Sequence, residues 1–181
     1  MAREQSLPAL WLLSDKRNAH LLERTLRTVR VPLAFVYRHY HLPDPERRDE
    51  FERLARLARA GGHLVVLADS AQTALEWGAD GIYGAPLALA PRRRDLVTVA
   101  TAHDMRGIAQ ANRVGADAVM LSPVFPTRSH PGAPTLGPRR FRTLAQHAAM
   151  PVIALGGMNA ETARRLGWPR WAAIDGLTGA Q

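Results

Sequence analysis

Cysteine is absent from the 181 residues of this chain, and lysine occurs only once, at Lys16. Without cysteine the chain can form no disulfide, no thiolate metal site and no cysteine nucleophile. It also lacks any apolar run long enough to cross a bilayer, and residues 1–7 are too polar for a signal peptide. These absences predict a cytoplasmic protein that does not associate with a membrane.

The positive charge of the chain comes almost entirely from arginine, and the formal net charge is +8. Such a charge attracts anions of many kinds, from phosphorylated metabolites to nucleic acid, without choosing between them. The arginines are spread over many predicted helices and form no stripe with interleaved aromatic side chains. The sequence therefore predicts no nucleic-acid partner.

Short apolar runs with β-type composition alternate with helical patterns along the whole chain. The predicted strands cover residues 10–13, 31–37, 63–68, 78–83, 96–100, 118–121, 151–155 and 171–174. The predicted helices cover residues 18–30, 44–60, 70–77, 104–114, 138–148 and 159–166, with one or two helical turns in 87–94.

This alternation predicts an α/β fold with a parallel sheet and external helices. Eight strands favour a closed (β/α)8 TIM barrel, formed as one domain by residues 1–181. It would be a small barrel, because such barrels usually have at least about 200 residues. The chain ends too soon after the eighth strand for a full last helix, so a homodimer partner could cover the gap.

Residues 122–137 form a proline-rich stretch directly after the sixth predicted strand. Prolines at positions 123, 126, 131 and 134 prevent a helix or strand from running through it. Between them lie Thr127, Arg128, Ser129 and His130, which offer two hydroxyls, a guanidinium and an imidazole. These groups suit a phosphate oxygen, and loops at this end of barrel strands carry the chemistry. The alternative is a structural surface loop.

Two further features follow the seventh and eighth predicted strands. Gly156 and Gly157 lead into a helix, so a phosphate could approach the backbone and its N–H groups. Ile174 and Asp175 follow the eighth strand, and the loops after strands seven and eight commonly form the phosphate site of such barrels. The alternative for the glycine pair is a tight turn between strand and helix.

The proline-rich loop resembles the signature of the thiamine phosphate synthase and thiazole tautomerase-like family. That signature reads Gly-Pro-x-Phe-x-Thr-x-Thr-Lys and is followed downstream by an apolar strand ending in Gly-Gly. Residues 122–130 here read SPVFPTRSH, and residues 151–158 match the downstream strand. Weaker similarities at residues 10–15, 35–40, 66–69 and 99–103 extend over nearly the whole chain.

The resemblance implies an enzyme that joins a pyrimidine diphosphate to a thiazole phosphate with Mg²⁺, giving thiamine phosphate and pyrophosphate. It implies that Arg38 and Thr101 contact the diphosphate and that Asp69 is a magnesium ligand. His130 stands where the family has the loop lysine and is a candidate proton carrier. The residues implied to hold the thiazole phosphate are Thr127, Arg128, Ser129, Gly156, Gly157, Ile174 and Asp175.

Several positions depart from the family pattern, mainly in the diphosphate and metal half. Val36 and Tyr40 replace the glutamine and lysine beside Arg38, and Ala68 replaces the asparagine before Asp69. The second magnesium aspartate would fall in residues 87–89, which contain no carboxylate, and one carboxylate alone is a poor Mg²⁺ site. In the thiazole half, a carboxylate at position 175 would repel a phosphate unless it turns away.

Three functions stay open on the sequence. The first is a thiamine phosphate synthase-like transferase, and the second is a thiazole tautomerase-like isomerase. The isomerase is disfavoured because those relatives place a histidine where Pro123 stands. The third is a non-catalytic barrel that binds a phosphorylated ligand. For single residues, Arg38 could instead be solvated if the strand register slips by one, and Asp69 could cap a helix.

Overall fold

The structure is a computed structural model, and it describes residues 7–128, 132–175 and 177. The strands are β1 Leu10–Leu13, β2 Leu33–Tyr37, β3 Leu64–Leu67, β4 Gly81–Gly84, β5 Val97–Ala102, β6 Ala118–Leu121, β7 Val152–Ala154 and β8 Trp171–Ala173. The helices are α1 Ala19–Thr28, α2 Asp44–Ala60, α3 Ala71–Glu76, α4 Met105–Val114, α5 Gly137–Ala145 and α6 Ala160–Leu166.

The eight strands are parallel and close into a barrel in sequence order, with β8 paired to β1. This confirms the predicted (β/α)8 TIM barrel. The described residues after β8, which are 174, 175 and 177, form no helix. Because all strands run the same way, their carboxyl ends meet at one mouth, where the predicted site residues follow them.

Of the one or two helical turns predicted in residues 87–94, the structure has one, and it begins one residue earlier. Only a single 3-10 turn, Pro86–Leu89, follows β4, and the chain then runs without a helix to β5. Pro91 explains the difference, because proline disfavours helical backbone in the residue before it. Ala90 accordingly has extended backbone, with φ −87° and ψ 146°.

Alternation along the strands divides the buried side chains into two layers. In β1, Trp11 and Leu13 join the cluster that fills the barrel, whereas Leu12 joins the cluster between the barrel and the helices. Trp11 is fully buried, and its indole N–H donates to Pro8 O at 2.9 Å. The filled interior leaves the mouth as the place where a ligand can bind.

None of the helices within the described residues is both long and apolar enough to cross a membrane.

Candidate functional site at the barrel mouth

Arg38 lies on the inward side of the mouth, just beyond β2. It is in register with Ala34 and Val36, which both belong to the barrel interior. Its Nε donates to Ser14 O at 3.2 Å and its Nη2 to Asp15 Oδ2 at 3.2 Å. The guanidinium is therefore held against the end of β1, at a point where an anion in the mouth could reach it.

A chain of alternating charges crosses the mouth from β2 to β8. Asp15 accepts from Arg38 and also from Arg17, whose Nε lies 2.8 Å from Asp15 Oδ1. Arg17 Nη1 lies 3.5 Å from Asp175 Oδ2. Asp175, whose carboxylate was predicted to repel a phosphate, thus lies beside the guanidinium of Arg17, which offsets its charge.

The protonation of this chain of charges follows from its contacts. Burial acts to raise the pKa of Asp15, but the hydrogen bonds from Arg17 and the charges of Arg17 and Arg38 outweigh it and lower that pKa. The hydrogen bond to Asp15 raises the pKa of Arg17. Asp15 and Arg17 are therefore both charged near neutral pH.

Sequence reasoning did not single out Asp15 or Arg17 as site residues. The available signal was their position, because Asp15 and Arg17 follow the first strand at the carboxyl edge of the sheet. Their partners Arg38 and Asp175 are distant in sequence, and closure of the barrel brings them together.

Tyr83 is a further residue that sequence reasoning missed. It lies in β4, belongs to the cluster inside the barrel and is 8% exposed. Burial raises the pKa of its phenol, while the charge and hydrogen bond of Arg38 act in the opposite direction. Tyr83 and Arg38 therefore meet at the base of the mouth, where a neutral phenol faces a cation.

Thr101 lies within β5, on the same face of the strand as Val97 and Val99, which belong to the barrel interior. Two residues further on, His103 Nδ1 lies 2.8 Å from Ser122 O and 3.2 Å from Ser122 Oγ. Because a carbonyl oxygen can only accept, Nδ1 is the donor here, and in a neutral imidazole Nε2 is then the acceptor. This arrangement joins the ends of β5 and β6 and makes His103 a candidate base.

The proline-rich loop rests directly on the Gly156-Gly157 turn. Val124 N–H donates to Leu155 O at 2.9 Å, and Phe125 N–H donates to Gly156 O at 3.1 Å. Gly156 and Gly157 have φ values of +96° and +63°, and a Cβ on Gly157 would lie 2.5 Å from Pro126 O. The structure thus brings together the two loops that the sequence predicted as phosphate-binding, and the loop itself occupies the space left by the glycines.

The hydroxyl and basic residues of the loop are only partly described. Thr127 is half-buried and Arg128 is exposed. Ser129 and His130 lie outside the described residues, so their predicted roles stay predictions.

The end of β8 is tied to the end of β1 by a buried asparagine. Asn18 Nδ2 donates to Leu13 O at 3.0 Å and to Ile174 O at 2.8 Å, and its Oδ1 accepts from Asp15 N–H at 2.8 Å. Ile174 itself packs against the cluster inside the barrel. Asn18 therefore positions both the predicted phosphate loop after β8 and the start of the charge chain.

Comparison with known proteins identifies the family of this barrel. A family model described as thiamine monophosphate synthase matches residues 12–174. This chain belongs to the thiamine monophosphate synthase family. The family resemblance predicted from the loop at residues 122–130 is confirmed.

Individual relatives agree with this assignment. A thiamine-phosphate synthase of Chloroflexus aurantiacus is 33% identical over 130 residues, covering 68% of this chain and 60% of that protein. A putative thiamine-phosphate synthase of Aquifex aeolicus is 28% identical and covers 86% of this chain and 88% of that protein. The structure of thiamine phosphate pyrophosphorylase from Pyrococcus furiosus superposes with a TM-score of 0.77 at 26% identity, covering 95% of this chain and 88% of that one.

In this thiamine monophosphate synthase family member, the implied magnesium ligand Asp69 is engaged by protein groups. Its Oδ2 accepts from Arg47 Nη1 at 2.6 Å, and its Oδ1 accepts from Ser70 N–H at 2.7 Å. Burial acts to raise the pKa of Asp69, but hydrogen bonds from Arg47, Ser70 and Thr73 lower it. The alternative role of Asp69 as a helix cap is wrong, because the N-cap of α3 is Ser70, whose Oγ accepts from Thr73 N–H at 3.0 Å.

The donors around Asp69 do not fit a magnesium site. Mg²⁺ requires octahedral oxygen coordination, usually with one or two carboxylates, substrate phosphates and water. Ala68 offers a buried methyl group where the family has an amide, and the turn Pro86–Leu89 carries no carboxylate. Across residues 7–128, 132–175 and 177, no cluster of three or more histidine or acidic side chains could hold a metal ion.

Proposed function

We propose that this chain is a thiamine phosphate synthase-like transferase that joins hydroxymethylpyrimidine diphosphate to thiazole phosphate. In this reaction the bond between the carbinyl carbon and the diphosphate oxygen breaks, and its electron pair leaves with pyrophosphate. The thiazole nitrogen forms a new bond to the same carbon, which gives thiamine phosphate. Support comes above all from the seating of the proline-rich loop on the Gly156-Gly157 turn in a member of this family.

The two phosphorylated substrates would occupy opposite sides of the mouth. Thiazole phosphate would lie at the loops after β6, β7 and β8, next to Thr127, Arg128 and the Gly156-Gly157 turn. The diphosphate would lie nearer β2 and β5, next to Arg38 and Thr101. Cations placed where negative charge develops on the leaving diphosphate stabilise the transition state, and this is the role we assign to Arg38.

Tyr83 and His103 would assist from the sides of the mouth. The neutral phenol of Tyr83, next to Arg38, can donate to a diphosphate oxygen. His103 presents Nε2 as an acceptor, since its Nδ1 is directed to Ser122 O. It could therefore accept a proton from the pyrimidine amino group as the carbinyl carbon becomes cationic.

The test is to incubate the pure chain with both phosphorylated substrates and to follow thiamine phosphate and pyrophosphate together. Equal formation of the two products supports the transferase. Binding of thiazole phosphate without any turnover would support the non-catalytic barrel instead. Aromatisation of a thiazole tautomer in the absence of the pyrimidine substrate would support the isomerase.

Two further properties belong to this proposal. A biosynthetic role of this kind implies phosphorylated small-molecule substrates and a cytoplasmic setting. A homodimer that covers the side of the barrel near β8 is the expected assembly, and sedimentation at several protein concentrations would test it.

A further inference from the structure

We infer that Asp69 is the anchor of Arg47 and not a metal ligand, and that this barrel binds diphosphate without a divalent cation. The inference rests on the proposed function only in taking a diphosphate as the anion. It differs from what the family resemblance implies, in which Mg²⁺ is bound at Asp69.

Arg47 is built firmly into its place. Its side chain is 7% exposed, and besides Asp69 its Nη2 donates to Ala68 O at 3.1 Å. Its guanidinium carbon lies 5.6 Å from the Tyr40 ring centroid and 5.3 Å from the Trp77 ring centroid. A desolvated guanidinium between two aromatic rings is stabilised there as long as it keeps its carboxylate.

A metal ion at Asp69 would have to share the carboxylate with Arg47 and with Ser70 N–H. Both carboxylate oxygens already accept hydrogen bonds, from Arg47 and from Ser70 N–H. Turning Asp69 toward a metal would leave the buried Arg47 charge without its partner, which is strongly unfavourable. No neighbouring carboxylate compensates, because the nearest acidic residue after β4, Asp95, pairs with Arg93.

The positive charge for a diphosphate comes instead from fixed guanidinium groups. Arg38 is 21% exposed at the mouth, and its charge and that of Arg47 both act on the Tyr40 phenol. Tyr40 is 67% exposed and stands where the family has a lysine, so it brings no charge of its own. Arg38 is thus the accessible cation on this side, and Arg47 adds a second positive charge behind Tyr40.

The first experiment measures pyrophosphate binding by calorimetry to the full chain, in EDTA and in excess MgCl₂. The inference predicts binding in EDTA that added Mg²⁺ does not tighten by more than about twofold, well below the tenfold that corresponds to 1.4 kcal/mol. Binding seen only with Mg²⁺, binding markedly tightened by Mg²⁺, or no binding in either condition would each overturn it.

The second experiment tests the role of Asp69 through thermal stability. Asp69→Asn should lower the Tm of the metal-free protein, because Arg47 loses its charged partner, and the loss should be smaller in an Arg47→Met background. Asp95→Asn is the matched control and should leave Tm nearly unchanged, since its ion pair with Arg93 is exposed. An unchanged Tm in Asp69→Asn, or an equal loss in both backgrounds, would contradict the inference.

These results separate the inference from the proposed function. Turnover to thiamine phosphate that requires Mg²⁺ would sink the inference and leave the transferase intact. Metal-independent pyrophosphate binding without formation of thiamine phosphate would support the inference and contradict the transferase.

Discussion

At the scale of single residues, the mouth is organised by ion pairs that hold arginines in place. Arg38 is fixed by Ser14 and Asp15, and Arg17 links Asp15 to Asp175. A cation that is already positioned loses less side-chain entropy when an anion binds. The same ion pairs mean that an incoming diphosphate competes with Asp15 for Arg38.

Arg38→Ala should weaken pyrophosphate binding by about 10- to 100-fold, because a hydrogen bond to a charged group contributes about 1.5–3 kcal/mol. Calorimetry measures this directly. Arg24→Ala, an exposed arginine on α1, is the matched control for a simple loss of net charge. Equal losses in the two variants would show that Arg38 acts only through the overall field of the protein.

His39 should make the free energy of unfolding depend on pH. It is 2% exposed, and its ring packs at a tilt against those of Tyr37 and His41, with centroids 4.8 and 5.0 Å apart. Burial, and then the charge of His41, lower its pKa from 6.5 to about 4. The unfolded chain therefore takes up a proton at higher pH than the native state does.

The free energy of unfolding should accordingly fall as the pH drops from 6.5 to about 4. The His39 contribution is on the order of 3 kcal/mol, at about 1.36 kcal/mol per pKa unit, and it is fully present above this window. Urea unfolding across the range should show a shallower slope for His39→Gln, while the exposed His20→Gln keeps the wild-type slope. Identical slopes for all three proteins would rule out His39 as the source.

Residues that act through long-range contacts were the hardest to predict. Arg47 lies among charged residues at the start of α2, a pattern typical of a solvated helix face, yet it is buried against Trp77. Arg17 lies between β1 and α1, and closure of the barrel places Asp175 beside it. Such partners depend on tertiary distances that periodicity and composition do not contain.

At the scale of elements, the contact between the proline-rich loop and the Gly156-Gly157 turn carries the phosphate proposal. The sequence predicted both segments, because prolines and glycines mark loops clearly. It did not predict that they touch, or that the glycines make room for the loop itself.

Gly157→Ala should destabilise the protein and weaken thiazole phosphate binding, because its Cβ would meet Pro126 O at 2.5 Å. Gly62→Ala is the matched control, since Gly62 also has a positive φ but a methyl group there would have no other atom within 4 Å. Both substitutions destabilise the protein by placing a side chain at positive φ. Overpacking should lower the free energy of unfolding by about 1–3 kcal/mol more in Gly157→Ala only. Urea unfolding measures the difference, and equal losses would place the loop elsewhere.

The elements themselves were largely predictable, and the exception has a local cause. Within the described residues, eight strands and six α-helices follow the apolar patterns, and β5 extends further than expected, to Ala102. Of the one or two turns expected after β4, a single 3-10 turn, Pro86–Leu89, forms, and Pro91 disfavours a continuation of the helix.

At the scale of the whole molecule, a closed barrel collects the ends of distant strands around one mouth. The net charge of +8 draws phosphorylated ligands toward the protein, but this field does not distinguish one anion from another. We propose that specific recognition comes from the loops after β6, β7 and β8, where a phosphoryl group would be held.

The most direct test of this claim is calorimetry with thiazole phosphate and with the same thiazole lacking its phosphate. We expect the phosphorylated ligand to bind at least about tenfold more tightly, a difference of about 1.4 kcal/mol. Gly157→Ala should remove most of this difference. Equal affinity for the two ligands in the wild-type protein would contradict it.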